Sequence, residues 1–344
     1  MKTQYANAVT QYENGTSLGG RIIKEGGLVV FPTETVYGLG ANGLNSEAVL
    51  KIFAAKGRPA DNPLILHIAK KSELKPLWSH VPDNARILAD TFWPGPLTMI
   101  FNRSSIVPDE VTAGLDTVAV RMPLNKTARA LINAAGVPIA APSANLSGKP
   151  SPTTAEHVRQ DMDGRVDLII DGGPCKYGLE STVVSLIGRP TILRPGAVTK
   201  EMLEAVIGPV EVAHAVLSPL REGETAASPG MKYRHYAPDA EVVVAEGRER
   251  EIAAKICREY DAREAAGEDC IIFATKQTQP FYRGRNCVII GDRTEPATLC
   301  ASLFYSLREY GDRADVIFAE ALPNDDMGLA YMNRLLRSAG FNII

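Results

Sequence analysis

Polar and cationic side chains follow several short apolar runs, at positions where the strands of an α/β sheet would end. The run 118–120 leads into Arg121, the run 192–193 leads into Arg194, and the run 138–141 leads into Ser143 and Asn145. Ligands of α/β proteins bind where strands end, because residues distant in sequence meet there. One such arginine most often forms a surface ion pair, but several at comparable positions favour a pocket for phosphate or carboxylate groups.

A helical apolar stripe ends on a lysine. The stripe begins at Val49 with i, i+3, i+4 spacing and reaches Lys56 at i+7, directly before Gly57, a typical helix C-cap residue. A lysine in this position commonly extends its ammonium group into water, and otherwise meets an anion. Arg58 and Asn62 follow closely, which favours an anion site.

Other catalytic motifs are absent from the sequence. It has no P-loop, zincin, serine-hydrolase or kinase signature, and its five histidines lack metal-ligand spacing. The segment 38–43 matches G-x-G-x-x-G, but residues 33–37 separate it from the preceding apolar run. The only acid at about the right distance, Asp61, lies in a proline-flanked loop. We interpret these glycines as tight turns and not as a dinucleotide-binding loop.

The elements that must position these residues fall into two patterns. Between about 20 and 208, apolar runs alternate with helical stretches, which predicts an α/β fold with a large twisted mixed sheet covered by helices. From 241 onwards a regular βα order predicts a smaller Rossmann-like domain with a parallel sheet. Predicted strands are 28–31, 64–68, 97–101, 117–121, 138–141, 168–170, 182–186, 191–193, 241–245, 270–274, 286–290 and 315–319; predicted helices are 46–56, 83–91, 127–135, 154–160, 200–206, 249–266, 296–310 and 327–338.

The stretch 209–240 lacks the apolar rhythm of its neighbours and is typical of a linker. Its second half groups cations with aromatics, among them Tyr233, Arg234 and Tyr236. Two interpretations remain: this half is a tether on the surface, or it is a segment that contacts an anionic ligand.

Length and composition limit the class of protein. At roughly 150 residues per domain, the 344 residues predict two domains. The 37 Lys and Arg against 40 Asp and Glu give a net charge of −3, which argues against a nucleic-acid coat or a polybasic membrane binder but allows a local basic pocket. Five cysteines without a C-x-x-C pair, and no long apolar segment, lead us to expect a cytoplasmic protein.

Several ordered motifs resemble those of the YrdC/Sua5 family. They are Phe31-Pro-Thr-Glu-Thr-Val-Tyr-Gly-Leu-Gly, Lys56-Gly-Arg-Pro with Asn62-Pro-Leu, Trp93-Pro-Gly-Pro-Leu-Thr and Ala141-Pro-Ser-Ala-Asn-Leu-Ser-Gly. Ser181-Thr-Val-Val, Arg194-Pro-Gly and the segment 228–238 look like the two-domain Sua5 form. The resemblance covers nearly the whole chain. It implies a YrdC-like catalytic domain over 1–208, a linker over 209–240 that forms an active-site lid, and a Sua5 C-terminal Rossmann-like domain over 241–344.

The resemblance implies synthesis of L-threonylcarbamoyladenylate from L-threonine, bicarbonate and ATP, with release of pyrophosphate, for N6-threonylcarbamoyladenosine formation at position 37 of tRNA. The family's K-x-R and S-x-N catalytic pattern falls on Lys56, Arg58, Ser143 and Asn145. By the same resemblance, threonine would contact Thr35, His67, Arg121, Ala141 and Ser181. ATP would contact Arg58, Asn62, Thr117, Ser143, Ser151, Arg194, Tyr233, Arg234 and Tyr236.

The expected cofactor is Mg²⁺, which would arrive with ATP and be held mainly by phosphate oxygens, without a dedicated set of protein ligands. The expected partner is the transferase that moves the threonylcarbamoyl group to tRNA, with weak or indirect tRNA contact and no membrane. Two alternatives remain. One is an RNA-binding module of the same fold, against which the balanced charge argues. The other is a carbamoyl-adenylate-forming enzyme, whose zinc-finger module the cysteine spacing excludes.

Overall fold

A computed structural model describes residues 2–219 and 236–344, which form two compact units. Residues 2–147 and 151–219 belong to the first unit, and residues 148–150 and 236–344 belong to the second. Tyr233 and Arg234 lie outside the described residues. No helix in the described part of the chain is both long and apolar enough to cross a membrane.

The first unit is built on one large mixed sheet, as predicted. Its strand order is β1-β8-β2-β3-β7-β4-β6-β5-β9-β10-β11. The strands are β1 (Gln4–Asn7), β2 (Val29–Phe31), β3 (Gly38–Asn42), β4 (Ile65–His67), β5 (Leu97–Asn102), β6 (Thr117–Arg121), β7 (Ile139–Ala141), β8 (Leu168–Asp171), β9 (Thr182–Ser185), β10 (Thr191–Arg194) and β11 (Glu211–Val212). The helices are α1 (Tyr12–Lys24), α2 (Ser46–Lys56), α3 (Asp83–Phe92), α4 (Asp109–Thr112), α5 (Lys126–Ala135), α6 (Ala155–Met162) and α7 (Lys200–Ile207), with short 3₁₀ helices at Lys71–Leu74 and His214–Val216.

The two faces of this sheet have different cores. Leu66, Met99 and Val120 are fully buried and belong to the main core, which includes residues of α2 and α3. Residues of α1 and α5 form a second core with Phe31 and Ile139. Because neighbours along a strand project to opposite faces, His67 and Arg121 project away from the main core. These two candidate site residues therefore lie on the sheet face opposite the main core.

Our interpretation of the segment 38–43 as tight turns holds for Gly43, which lies in a turn, but is wrong for Gly38 and Gly40. Gly38 and Gly40 lie in strand β3, which pairs with both β2 and β7. A Cβ atom on Gly40 would lie 2.7 Å from Cγ2 of Ile139 and 2.9 Å from Cε1 of Phe31. Glycine is therefore required here by close packing against side chains of the neighbouring strands, and not by turn geometry.

The sequence pattern also missed helix α1, strand β1, helix α4 and strand β11. Helix α1 contains Gly15, Gly19 and Gly20, and glycine is among the weakest helix formers. A Cβ atom on Gly20 would lie 2.6 Å from the carbonyl carbon of Ala134 in α5, so this glycine allows the two helices to approach closely. Strand β11 lies within the stretch expected to be linker, and it pairs with β10 at one edge of the first unit's sheet.

The second unit contains the predicted small parallel sheet. Its strand order is β12-β15-β13-β14, and all of its strand pairs are parallel. The strands are β12 (Glu241–Ala245), β13 (Cys270–Thr275), β14 (Cys287–Gly291) and β15 (Val316–Glu320); the helices are α8 (Glu249–Ala265), α9 (Pro296–Tyr310) and α10 (Asp326–Ser338), with a 3₁₀ helix at Gln279–Tyr282. At the end of β15 the buried Glu320 carboxylate accepts a hydrogen bond from Tyr282 at 2.9 Å and pairs with Arg293 at 3.2 Å. This carboxylate is thus satisfied within the unit.

Candidate active site

Three of the sequence-predicted residues lie in one row across the sheet of the first unit. Strand register places His67 opposite Arg121, Arg121 opposite Thr98, Thr98 opposite Val183 and Val183 opposite Arg194. Residues paired in this way project their side chains to the same face of a sheet. The convergence predicted from the strand-end pattern therefore occurs for His67, Arg121 and Arg194, and Thr98 joins them although no role was predicted for it.

An apolar strip adjoins this polar row on the same face. The next register positions pair Ala141 with Ile65, Ile65 with Ala119 and Ala119 with Ile100. Ile65, Ala119, Ile100 and Val183 form a small buried cluster. Thr117 begins β6 on the far side of this strip, opposite Asn102 and about 13 Å from Arg121 at 3.3 Å per residue. The face therefore has two polar ends joined by an apolar strip.

Arg121 is held by three residues at the first polar end. Its Nη2 donates to Glu34 Oε1 at 2.6 Å, its Nη1 donates to Thr35 Oγ1 at 2.9 Å and its Nε donates to the Gly95 carbonyl at 3.3 Å. Burial tends to raise the pKa of the Glu34 carboxyl, but Arg121 and nearby backbone N–H groups outweigh it, so the pKa is lowered. Glu34 and Arg121 therefore form a buried, ionised pair. Glu34 lies in a motif quoted above, but the sequence pattern gave no signal for its role.

His67 is neutral at this end of the site. Burial, reinforced by the nearby Arg121 cation, lowers the pKa of its imidazole to about 3. Its Nδ1 lies 3.1 Å from the Ile65 carbonyl, so the tautomer that donates there leaves Nε2 as an acceptor. The Phe31 ring packs edge-on at a centroid distance of 6.0 Å. His67 can thus orient a ligand by hydrogen bonding, but it is a weak base.

Ser181 links the polar row to Arg194. The hydroxyl groups of Ser181 and Thr98 lie 2.7 Å apart. Arg194 donates from Nε to the Ser181 carbonyl at 3.0 Å and from Nη2 to the Ser181 hydroxyl at 3.2 Å. Each of the three residues is buried. This chain of hydrogen bonds fixes the direction of the Arg194 guanidinium.

Lys56 connects the end of α2 to the loop that contains Ser143 and Asn145. Its buried ammonium donates to the carbonyl oxygens of Ser143 and Asn145, both at 2.6 Å. The Ser143 hydroxyl in turn donates to Asn145 Oδ1 at 2.5 Å. Gly57 adopts the left-handed conformation of a C-cap, with φ of 61°, as the sequence predicts. The structure thus brings three residues of the K-x-R and S-x-N pattern together, with Lys56 positioning the loop, while Arg58 lies half-buried just beyond the helix.

Asn62 and Ser151 are fully buried. Neither amide atom of Asn62 has a hydrogen-bond partner among the residues that the structure describes. The Ser151 hydroxyl donates to Glu180 Oε1 at 2.5 Å, and Glu180 is a buried carboxylate to which the sequence assigned no role. An unpaired buried amide costs about 1–3 kcal/mol, so the side chain of Asn62 is suited to bind a ligand.

The remaining predicted ATP contacts are in the stretch expected to be linker. Tyr236 belongs to the second unit, where its buried ring lies 4.8 Å from that of Phe304 between centroids. Tyr233 and Arg234 fall outside the described residues, so their predicted contacts stay predictions.

Comparisons with known proteins cover both parts of the chain. The Sua5/YciO/YrdC family model, described as "Telomere recombination", matches residues 21–196. A second model, described as "Threonylcarbamoyl-AMP synthase, C-terminal domain", matches residues 198–340. The threonylcarbamoyl-AMP synthase of Bacillus subtilis is 47% identical over 94% of this chain and 92% of its own length. The enzyme of the same name from Pyrococcus abyssi is 48% identical over 94% of this chain and 93% of its own.

A solved structure shares the fold of the whole chain. The crystal structure of P. abyssi Sua5 complexed with L-threonine has a TM-score of 0.93 and 44% sequence identity to this chain. The match covers 100% of this chain and 99% of that one.

Proposed function

The chain belongs to the Sua5/YciO/YrdC family, and from this membership we propose that it is an L-threonylcarbamoyladenylate synthase. It converts L-threonine, bicarbonate and ATP to threonylcarbamoyl-AMP and pyrophosphate. Curated relatives of that name match almost the whole chain, and P. abyssi Sua5 has been crystallised with L-threonine. The enzyme is a nucleotidyltransferase, because an adenylyl group moves from ATP to a carboxylate.

The observation that carries this proposal is the single sheet face with two polar ends. The end formed by Thr35, His67, Arg121 and Ser181 suits an amino acid, since it offers a guanidinium together with neutral hydrogen-bonding groups. We assign the nucleotide to the other end, where Thr117 begins β6. The apolar strip between them offers a flat floor of small and branched side chains.

The reaction requires charge neutralisation and alignment. The threonine amine adds to bicarbonate and water leaves, which gives an N-carboxylate. A carboxylate oxygen then attacks the α-phosphorus of ATP, and pyrophosphate leaves. Because two anions must meet, fixed cations lower the barrier. We assign this role to Arg58 and Arg194, while Lys56 positions the loop whose Ser143 and Asn145 side chains orient the phosphates.

We propose that Mg²⁺ enters this site with ATP. Within residues 2–219 and 236–344, no group of three or more acidic, histidine or cysteine side chains is arranged to hold a metal ion. Mg²⁺ usually keeps several waters and binds substrate phosphates with only one or two carboxylates. The Glu180 carboxylate, which accepts a hydrogen bond from the Ser151 hydroxyl, fits that pattern. When bound, the ion would offset negative charge on the pyrophosphate.

We further propose that the product passes to the enzyme that transfers the threonylcarbamoyl group to tRNA. A mixed carbamic–phosphoric anhydride is prone to hydrolysis, so it needs an acceptor close at hand. Direct contact of this chain with tRNA would be weak or indirect, because the net charge of −3 supplies little attraction for phosphates. We place the reaction in the cytoplasm, because the five cysteines show no pattern typical of disulfide-bonded proteins.

Pyrophosphate release tests the proposed function. The purified protein with ATP, Mg²⁺, L-threonine and bicarbonate, and without RNA, should release pyrophosphate only when both threonine and bicarbonate are present. Release that is absent, or indifferent to threonine, would refute the proposal. Replacing threonine and bicarbonate with carbamoyl phosphate tests the carbamoyl-adenylate alternative, for which we expect no release.

A further inference from the structure

Glu34 places a negative charge beside the cation expected to bind the substrate carboxylate. Its side chain is 5% exposed and that of Arg121 is 4% exposed. One carboxylate oxygen accepts from Arg121 at 2.6 Å, and the other accepts from the backbone N–H of Asn125 at 3.2 Å. The carboxylate is therefore fixed on both sides, and water screens the pair very little.

Arg121 keeps donors for a ligand despite this pairing. Its bonds to Glu34, Thr35 and Gly95 use three of the five guanidinium N–H groups. One N–H then remains on each terminal nitrogen, so the guanidinium keeps donors for a ligand carboxylate. A ligand carboxylate can thus bind Arg121 while Glu34 stays in place.

The charges of the group around Arg121 add to zero. Glu34 and Arg121 cancel, and His67 adds no charge because its imidazole is neutral. Thr35, Thr98 and Ser181 contribute only hydroxyl groups. The next charged side chain along the row is Arg194, which bonds to the carbonyl and hydroxyl of Ser181.

We propose, on the basis of the function proposed above, that Glu34 makes this pocket selective for the zwitterionic form of an amino acid over carboxylic acids that lack the ammonium group. A zwitterion adds no net charge to a neutral pocket, whereas a monoanion of the same shape leaves one buried negative charge uncompensated. Glu34 is a positioning residue in this role: it also holds the Arg121 guanidinium in one orientation.

The test compares two ligands that differ only in the ammonium group. L-threonine and 3-hydroxybutyrate are titrated into the full-length protein by calorimetry, and the ratio of their dissociation constants is recorded. Because a buried unpaired charge is costly, we expect wild type to prefer threonine by about 100-fold or more. In Glu34→Gln the pocket carries a net positive charge, so we expect this ratio to fall about tenfold or more, with 3-hydroxybutyrate binding more tightly than to wild type.

Two further variants separate charge from structure. Glu34→Asp keeps the charge, so the ratio should stay near the wild-type value even where threonine binds more weakly. Glu73→Gln is a matched control, since Glu73 also accepts a backbone N–H bond, from Ala69 at 2.9 Å, outside this row of residues. Its ratio should equal that of wild type.

Three outcomes would overturn the inference: equal weakening of both ligands in Glu34→Gln, a collapsed ratio in Glu34→Asp, or a wild-type protein that does not bind threonine. In the third outcome the proposed function fails as well, and pyrophosphate release should then be indifferent to threonine. In the first two, wild type still releases pyrophosphate in response to threonine, so only the inference about Glu34 fails.

Discussion

Individual side chains at the site are placed for ligands at some expense of stability, and Asn62 illustrates this. It is fully buried, and its amide has no partner among the described residues. In Asn62→Leu an apolar group of similar size replaces the unpaired amide, so we expect the free energy of unfolding to stay equal or rise by about 1 kcal/mol. The KM for ATP should rise about tenfold, because a hydrogen bond to the nucleotide is lost.

Asn45 provides the opposite control. Its side chain caps α2 by accepting from the Ala48 N–H at 3.0 Å. Asn45→Leu should therefore lower the free energy of unfolding by about 1 kcal/mol while the KM for ATP is unchanged. Urea unfolding and initial-rate kinetics measure both quantities, and a destabilised Asn62→Leu with normal KM would contradict our assignment.

Lys56 and Arg58 should be distinguishable by stability although both matter for turnover. We expect Lys56→Ala and Arg58→Ala each to lower turnover by about 100-fold or more, through a misplaced loop in the first case and a lost cation in the second. Lys56→Ala also removes the donor to the buried carbonyl oxygens of Ser143 and Asn145. It should therefore lower the free energy of unfolding by about 1–3 kcal/mol.

Lys51 on the same helix is the control, since its ammonium donates to the Gly26 carbonyl at 2.7 Å outside the site. Lys51→Ala should keep wild-type turnover. Near-normal turnover in a folded Lys56→Ala protein would contradict the proposal that Lys56 positions the loop containing Ser143 and Asn145.

His67 should make the first unit sensitive to acid. Its folded pKa of about 3 lies below the ordinary value of 6.5, so between these values the unfolded chain binds a proton that the folded chain does not. Stability is therefore lost as pH falls, and between pH 7 and pH 5 this amounts to about 2 kcal/mol. His67→Gln lacks this loss. Urea titrations followed by fluorescence of Trp78 and Trp93, both in the first unit, measure the difference; an equal pH dependence would exclude this contribution.

At the scale of elements, the packing of α1 on α5 depends on a glycine. A Cβ on Gly20 would meet the backbone of Ala134 at 2.6 Å, whereas a Cβ on Gly15 would meet only the Ala6 side chain, at 3.0 Å. Both substitutions to alanine gain about 1 kcal/mol of helix propensity. We expect Gly20→Ala still to lower the free energy of unfolding by about 1–3 kcal/mol overall, because the backbone of α5 cannot move aside. Gly15→Ala should have a free energy of unfolding near that of wild type. Equal free energies of unfolding in the two variants would contradict this packing argument.

The same elements show what the sequence could predict. Strands β4, β6 and β10 were predicted because their apolar residues are strong strand formers, and their terminal residues His67, Arg121 and Arg194 do share one face. Strand β3 and helix α1 were missed because their glycines are dictated by neighbours distant in sequence, which no local pattern reports. Glu34 was missed for the same reason: its partner Arg121 is 87 residues away.

At the scale of the whole molecule, the net charge of −3 does not describe how charged side chains are distributed at the site. In the polar row, the charge of Arg121 is neutralised by the buried carboxylate of Glu34. The phosphate or carboxylate pocket expected from the strand-end arginines therefore contains an acidic side chain as well as cations. The Glu34–Arg121 pair adds no net charge to the row, whereas Arg194 adds a guanidinium beside Ser181.

The sequence that links the two units carries cations of its own. The segment 219–238 contains Lys232, Tyr233 and Arg234, and most of it lies outside the described residues, so its role as a lid stays a prediction from the sequence. A chain ending at residue 218 keeps every described element of the first unit, including β11, which an end at 208 would remove. Because the segment adds cations and aromatics suited to a triphosphate, we expect a chain ending at Pro238 to have a kcat/KM for ATP about tenfold higher or more. Tryptophan fluorescence during urea unfolding should be the same for both chains, which would show that the difference lies in the segment and not in folding. Equal activities in two equally stable chains would contradict the predicted lid role. The cations of this segment would then have a role outside catalysis.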